Sequence, residues 1–94
     1  MISASKDSKM FEDGITAAEN SLKEAQVYLY LIDGAVEGLS DVRFEKFKAA
    51  GGHLFACAYS LQKRGLNPAG AATQSGLTVL SDIMSSTEEF QSFN

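Results

Sequence analysis

An all-α fold is what the sequence predicts: an antiparallel helical hairpin over about residues 17–37 and 41–64, a third helix over about 68–85, and assembly of two copies into a dimeric helical bundle. Three observations predict it. Apolar residues recur at alternating intervals of three and four along two long stretches, the spacing that lines up one face of a helix. Helix start and stop signals bracket those stretches. One proline, no tryptophan and abundant alanine suit helices better than the many turns of a β-sandwich.

The 94 residues amount to one domain, near the lower size at which a single apolar core offsets chain entropy, so association with a second copy would add stability. Hydrophobic residues at 45% and charged residues at 21% match an ordinary globular chain rather than a disordered one. Residues 1–10 are rich in Ser, Lys and Asp and read as a flexible leader, leaving 11–94 as the helical domain.

The first helix is expected to start at Ala17. Thr16 and Glu19 have the spacing of a capping box, in which the hydroxyl accepts from a free backbone N–H and the carboxylate reaches back. Ile15, Ala18, Leu22, Ala25, Leu29, Ile32, Val36 and Leu39 then form one continuous seam, and Gly38 can end the helix in a left-handed conformation. The run Val27 to Ile32, "VYLYLI", has the composition of a buried strand, but the seam and caps on either side favour helix. Read as helix, Val27, Tyr28 and Leu31 lie opposite the seam and need a second cover, which makes them the expected dimer or partner interface.

Ser40 is the expected N-cap of the second helix, where Phe44, Phe47, Gly51, Leu54, Ala58 and Leu61 repeat the same spacing and face the first seam. "KRGLNP" closes it with cations in the last turn, Gly65 beyond them and then Pro68. Asn67 and Pro68 read as the N-cap and first residue of the third helix, whose apolar side includes Ala72, Val79, Leu80, Ile83 and Met84. A frayed tail from about residue 86 is expected to follow.

Few chemistries find support. Cys57 is the single cysteine, so no disulfide forms within the chain, and a cytoplasmic location follows by default. The start of the chain has no apolar stretch of signal-peptide length, and Val27 to Ile32 is too short to span a bilayer. On a helix, His53 falls on the solvent side one turn from Cys57, near enough for an imidazole-activated thiolate or half of a metal site. Both need more groups than the chain supplies, so a surface histidine and an inert cysteine are preferred. Gly51 and Gly52 in mid-helix are best explained by close helix approach, because "AAGGHL" lacks the frame of a phosphate-binding loop.

A net charge of −4 argues against broad binding to nucleic acid or anionic membranes. The distribution is uneven. Residues 41–64 hold five basic residues against two acidic ones, a local +3, and the remainder carries −7. Arg43, Lys46, Lys63 and Arg64 are therefore candidate contacts for a phosphate or other anion, although a solvated face is the usual meaning of such a cluster. The adjacent pairs Glu12/Asp13 and Glu88/Glu89 stand in polar contexts and suggest no acid–base site.

Phe11, Gly14, Ile15, Thr16, Leu22, Ala25 and Leu29, followed by Leu54, Ala58 and Leu61, make up an aromatic residue, a Gly-Ile-Thr helix start, an Ala/Leu-rich helix and a second helix with an apolar end. Over about residues 11–65 this resembles the small, mostly uncharacterised pseudomonad proteins classed as Rop-like. The chain departs from their pattern by one extra residue before Leu22 and by the third helix after Pro68. The resemblance implies a dimeric helical bundle and brings no activity with it.

The expected function is a small non-enzymatic interaction module of bacterial or phage origin: an adaptor, regulator or inhibitor that binds itself and another protein through an apolar helical face, without cofactor, metal or membrane. The alternative is an RNA or nucleotide binder using the basic face of the second helix.

Overall fold

A parallel β-sheet, absent from the expected all-α architecture, organises the chain. The computed structural model describes residues 1–68, 70–86 and 91–94. In chain order the elements are α1 (Lys9–Ser21), β1 (Tyr28–Leu31), a 3-10 helix (Asp33–Gly38), α2 (Val42–Ala49), β2 (His53–Cys57), α3 (Ala58–Lys63), β3 (Thr73–Ser75) and α4 (Leu77–Ser86). The sheet order is β1-β2-β3, and both neighbouring pairs are parallel. The fold is mixed α/β, which replaces the helical hairpin, the bundle and the architecture implied by the Rop-like resemblance.

Each predicted helix is divided. The range 17–37 holds the end of α1, all of β1 and much of the 3-10 helix, while 41–64 holds α2, β2 and α3. Within 68–85 lie β3 and most of α4. The caps moved as well. Ser8, in extended conformation, caps α1 by accepting from the Phe11 N–H at 3.2 Å, so Thr16 and Glu19 lie inside the helix rather than at its start. Asp41 rather than Ser40 caps α2, accepting from the Arg43 N–H at 2.9 Å.

Strand alternation separates two sets of side chains. Leu29, Leu31, Leu54 and Ala56 enter the main core with Phe11, Ile15 and Ala18 of α1, Phe44 and Phe47 of α2, Ala35 and Val36 of the 3-10 helix, and Leu61 of α3. The opposite face carries Tyr28 and Tyr30, then His53, Phe55 and Cys57, then Thr73 and Ser75, as the register requires. There Tyr30 and Cys57 form a second, smaller core with Leu80, and Ile83 packs against it.

The first residues extend the sheet. Ile2 is fully buried and bridges Leu31 in parallel, its N–H donating to the Tyr30 carbonyl at 2.9 Å. Phe93 bridges Ile2 in turn. Thus within the stretch assigned to a leader, Ile2 and Ala4 belong to the main core. Of the tail expected to fray, residues 87–90 lie outside the described residues, and Phe93 packs against the core.

The Gly-Gly pair serves a turn rather than a helix contact. Gly51 has φ of 100°, which turns the chain out of α2 and which side-chain-bearing residues rarely adopt. A Cβ on Gly52 would collide with the Phe47 ring, so its absence lets β2 start directly beneath α2.

The two sheet faces differ in what they contribute to stability. Leu31→Ala empties a fully buried site in the main core and is expected to lower the unfolding free energy by about 3 kcal/mol. Tyr28→Ala, at a side chain 37% exposed, should cost less than half as much. Urea titrations of both variants give the comparison, and equal losses would contradict this division of the faces.

Candidate functional site

The residues that sequence periodicity grouped together are distributed over both faces and several elements. Leu31, expected at an interface, is fully buried in the main core, and Val27 is half-buried against that core. Tyr28 alone of the three is exposed, and it stands on the second face.

There it begins a ladder of rings. Tyr28 and His53 are register partners whose rings stack at 4.7 Å with planes 14° apart. Phe55 lies 6.4 Å from Tyr28 and 6.5 Å from Tyr30, again in stacked orientation. His53 is exposed and Phe55 half-buried, so the amino-terminal half of this face is open to solvent. The carboxyl-terminal half lies under α4, where Leu80 and Ile83 cover Tyr30 and Cys57. Parallel sheets are normally covered on both faces. Among the described residues one helix covers the second face, over half its length.

The carboxyl edge of the sheet gathers different groups. Cys57 ends β2 and is 2% exposed. The neighbouring Tyr30 hydroxyl donates to the carbonyls of Ser75 at 3.1 Å and Gly76 at 3.2 Å. Burial raises the pKa of this phenol above its ordinary value, and the Cys57 thiol adds to the shift. The buried Ser75 hydroxyl has no hydrogen-bond partner among the described residues. Just beyond β1, Asp33 adopts φ of 53°, a strained conformation for a residue with a side chain, and its N–H donates to the buried Ser60 hydroxyl at 2.9 Å.

His53 and Cys57 do not form a pair. Both point to the second face, but they occupy opposite ends of β2, four residue steps or roughly 13 Å apart. Among the described residues no group of three or more His, Cys, Asp and Glu is arranged to hold a metal ion.

The basic candidates are also separated. Arg43 and Lys46 belong to α2, Lys63 ends α3 and Arg64 follows it. Arg43 is committed: its guanidinium binds the Asp41 carboxylate through Nε at 3.0 Å and Nη2 at 2.6 Å, and it also pairs with Glu12 of α1. Arg64 pairs with Glu37 of the 3-10 helix at 3.2 Å. Lys48 spans to the Ala71 carbonyl at 2.7 Å and to Glu45 at 3.2 Å. Lys46 and Lys63 are exposed. The excess charge of residues 41–64 is therefore largely engaged in tying neighbouring elements together.

Sequence periodicity passed over Tyr30, Phe55 and Asp33. A signal for the first two was present: "YLYL" and "HLFAC" place rings or polar groups at every second residue with aliphatic residues between them, a period of two. Asp33 was marked only by its place in the turn dipeptide Asp33-Gly34.

Comparison with protein-family models, with curated protein sequences and with solved structures finds no match for this chain.

The Arg43 clamp holds the Asp41 carboxyl below its ordinary pKa, chiefly through the side-chain hydrogen bond from Arg43. A carboxylate whose folded pKa is depressed stabilises the fold above its unfolded value, about 3.9, and loses that contribution as pH falls through the folded value. Asp41→Asn keeps a capping oxygen but loses the charge. It should cost about 1 kcal/mol at pH 7, and the gap from the parent chain should be narrower at a pH well below the unfolded value of about 3.9. Urea unfolding at both pH values tests this; a gap independent of pH would rule out the charge pair as its source.

Proposed function

We propose that the chain is a non-enzymatic interaction module whose binding surface is the open half of the sheet's second face. One observation carries the reading: Tyr28, His53 and Phe55 form a stacked ring surface on a parallel sheet, where a covering layer is the rule. Rings held in place by their neighbours offer contact area at little entropic cost, the property that enriches aromatic residues in binding surfaces. The proposed surface keeps Tyr28 from the expected interface and replaces Val27 and Leu31 with His53 and Phe55. Among the described residues no helix is long and apolar enough to cross a membrane, and a cytoplasmic location is part of the proposal.

Binding of RNA or a nucleotide through Arg43, Lys46, Lys63 and Arg64 receives less support, because two of the four are already paired with carboxylates.

A photo-crosslinking residue at Thr73, exposed beside Phe55 in the register, should capture a protein in cells producing the chain. The same residue at Glu19, exposed on α1, should not. Equal capture at both positions, or none at Thr73, would count against the surface.

A second reading rests on the carboxyl edge. α/β sheets hold ligands outside the carboxyl ends of their strands, and Cys57 closes the central strand there with the Tyr30 phenol beside it. In that reading Cys57 is a thiol that acts on a small ligand admitted by local opening at the edge. Iodoacetamide distinguishes the possibilities. Alkylation of the native chain at a rate nearly independent of low urea concentration supports a functional thiol, whereas alkylation that follows global unfolding assigns Cys57 to the core alone.

A further inference from the structure

We propose that the cleft at the amino-terminal end of β2 and β3 binds a small aromatic carboxylate. The inference goes beyond the interaction reading above, because it concerns a small ligand and stands whether or not a protein docks on the rings.

The cleft forms where the β2–β3 ladder stops. β3 begins at Thr73, the register partner of Phe55, so His53 and Leu54 of β2 have no strand partner on that side among the described residues. The His53 N–H donates to the Val27 carbonyl on the β1 side at 3.0 Å, and alternation turns the next N–H, that of Leu54, toward the β3 side. A continued parallel ladder would pair it with the Ala71 carbonyl. That bond is not made, and Ala71 accepts from Lys48 Nζ at 2.7 Å instead. Leu54 is 4% exposed, and a buried N–H without an acceptor is rare. The result is a cleft of about 410 Å³ lined by Lys48, His53, Leu54, Phe55 and Thr73 together with small residues that include Gly70 and Ala72.

The cleft gathers donors. An ammonium has three N–H groups, and Lys48 uses two, on Ala71 and on Glu45, which leaves one. Lys48 and the Leu54 N–H are directed at the same Ala71 carbonyl, so they lie close enough to share the two oxygens of one carboxylate. Thr73 adds a hydroxyl at an exposed position. Among the described residues no Asp or Glu lines the cleft.

Charge and size then define the ligand. Glu45 already offsets part of the Lys48 charge, so the site balances a monoanion and not the two charges of a phosphate monoester. The volume exceeds what a bare carboxylate fills and lies in the range of organic ligands, roughly 300–1,000 Å³. The Phe55 ring offers a stacking surface, and a Cβ placed on Gly70 would meet no atom within 4 Å, so a flat ring has room beside the donors.

Amide NMR spectra of the full chain, titrated with sodium benzoate to about 20 mM, test the proposal. A dissociation constant of about 1 mM is expected for so small a ligand, with the Leu54 amide proton moving downfield as it gains an acceptor. Benzamide, the neutral counterpart, and inorganic phosphate should each bind about tenfold more weakly. Lys48→Met keeps the stem, removes the charge and, with unchanged circular dichroism, should weaken benzoate about tenfold. Because Lys48 also ties α2 to the segment before β3, Thr73→Val supplies a second probe and should weaken benzoate about threefold.

The absence of a saturable shift at Leu54, equal binding of benzoate and benzamide, or phosphate bound as tightly as benzoate overturns the proposal. So does a folded Lys48→Met chain that binds benzoate as the parent does. If that variant unfolds, unchanged benzoate binding by Thr73→Val decides against the site. Benzoate bound at Leu54 with no protein captured at Thr73 removes the interaction reading and keeps this one, and capture without benzoate binding does the reverse.

Discussion

Parallel pairing of β1, β2 and β3 is the constraint from which the remaining structure follows. Parallel neighbours need a crossover between them, and that crossover has to lie on one face of the sheet. From Ile2 through β1 and β2 to β3 the chain advances in one direction, and side chains of α1, α2 and α3 are found together in the main core. After β3 the direction reverses, since Phe93 bridges Ile2 at the far edge, and α4 packs against the opposite face. Right-handed crossovers account for both placements. The open ring surface is then a product of topology: three crossovers run one way and a single one returns.

This topology also explains the contrast between the two faces in chemistry. The main-core face is aliphatic at the sheet, with Leu29, Leu31, Leu54 and Ala56 meeting Phe11, Phe44 and Phe47 from the helices. Such a surface has no use for polar edges. Apart from Phe55, the second face holds Tyr28, Tyr30, His53, Cys57, Thr73 and Ser75, every one of which has a polar atom. Under α4 those atoms are buried, and Tyr30 donates to backbone carbonyls at the carboxyl edge. Beyond α4 they face water. A single strand of five residues therefore carries an exposed imidazole at one end and a buried thiol at the other.

Parts of this were legible in the sequence. Ile15, Ala18, Phe44, Phe47, Leu54 and Leu61 are core residues under either architecture, because burial follows hydrophobicity before it follows topology. The absence of a disulfide needs only the count of one cysteine. The strands were misread for a physical reason. A three-and-four spacing that runs from Ile15 to Leu39 is matched by a short helix, a four-residue strand and a 3-10 turn laid end to end, since Leu29 and Val36 are buried in each case. Strands of three to five residues place at most three on a face, too few for alternation to outweigh a longer apparent seam. The cue that favoured strand was local: "VYLYLI" is β-branched and aromatic, and "HLFAC" follows a Gly-Gly turn.

The basic stretch illustrates how charge counted along a chain differs from charge displayed in space. Arg43 lies within reach of Asp41 two residues away and Glu12 thirty-one residues away, so it joins the cap of α2 to the first turn of α1. Arg64 ties the end of α3 to the 3-10 helix through Glu37 in the same manner. Each pair is partly exposed and contributes modestly to stability. Their larger effect is on placement, because α1, α2, α3 and the 3-10 helix all pack over one face and share few polar contacts otherwise. With Arg43 and Arg64 neutralised by carboxylates in this way, the basic run counted along residues 41–64 is not displayed as one patch.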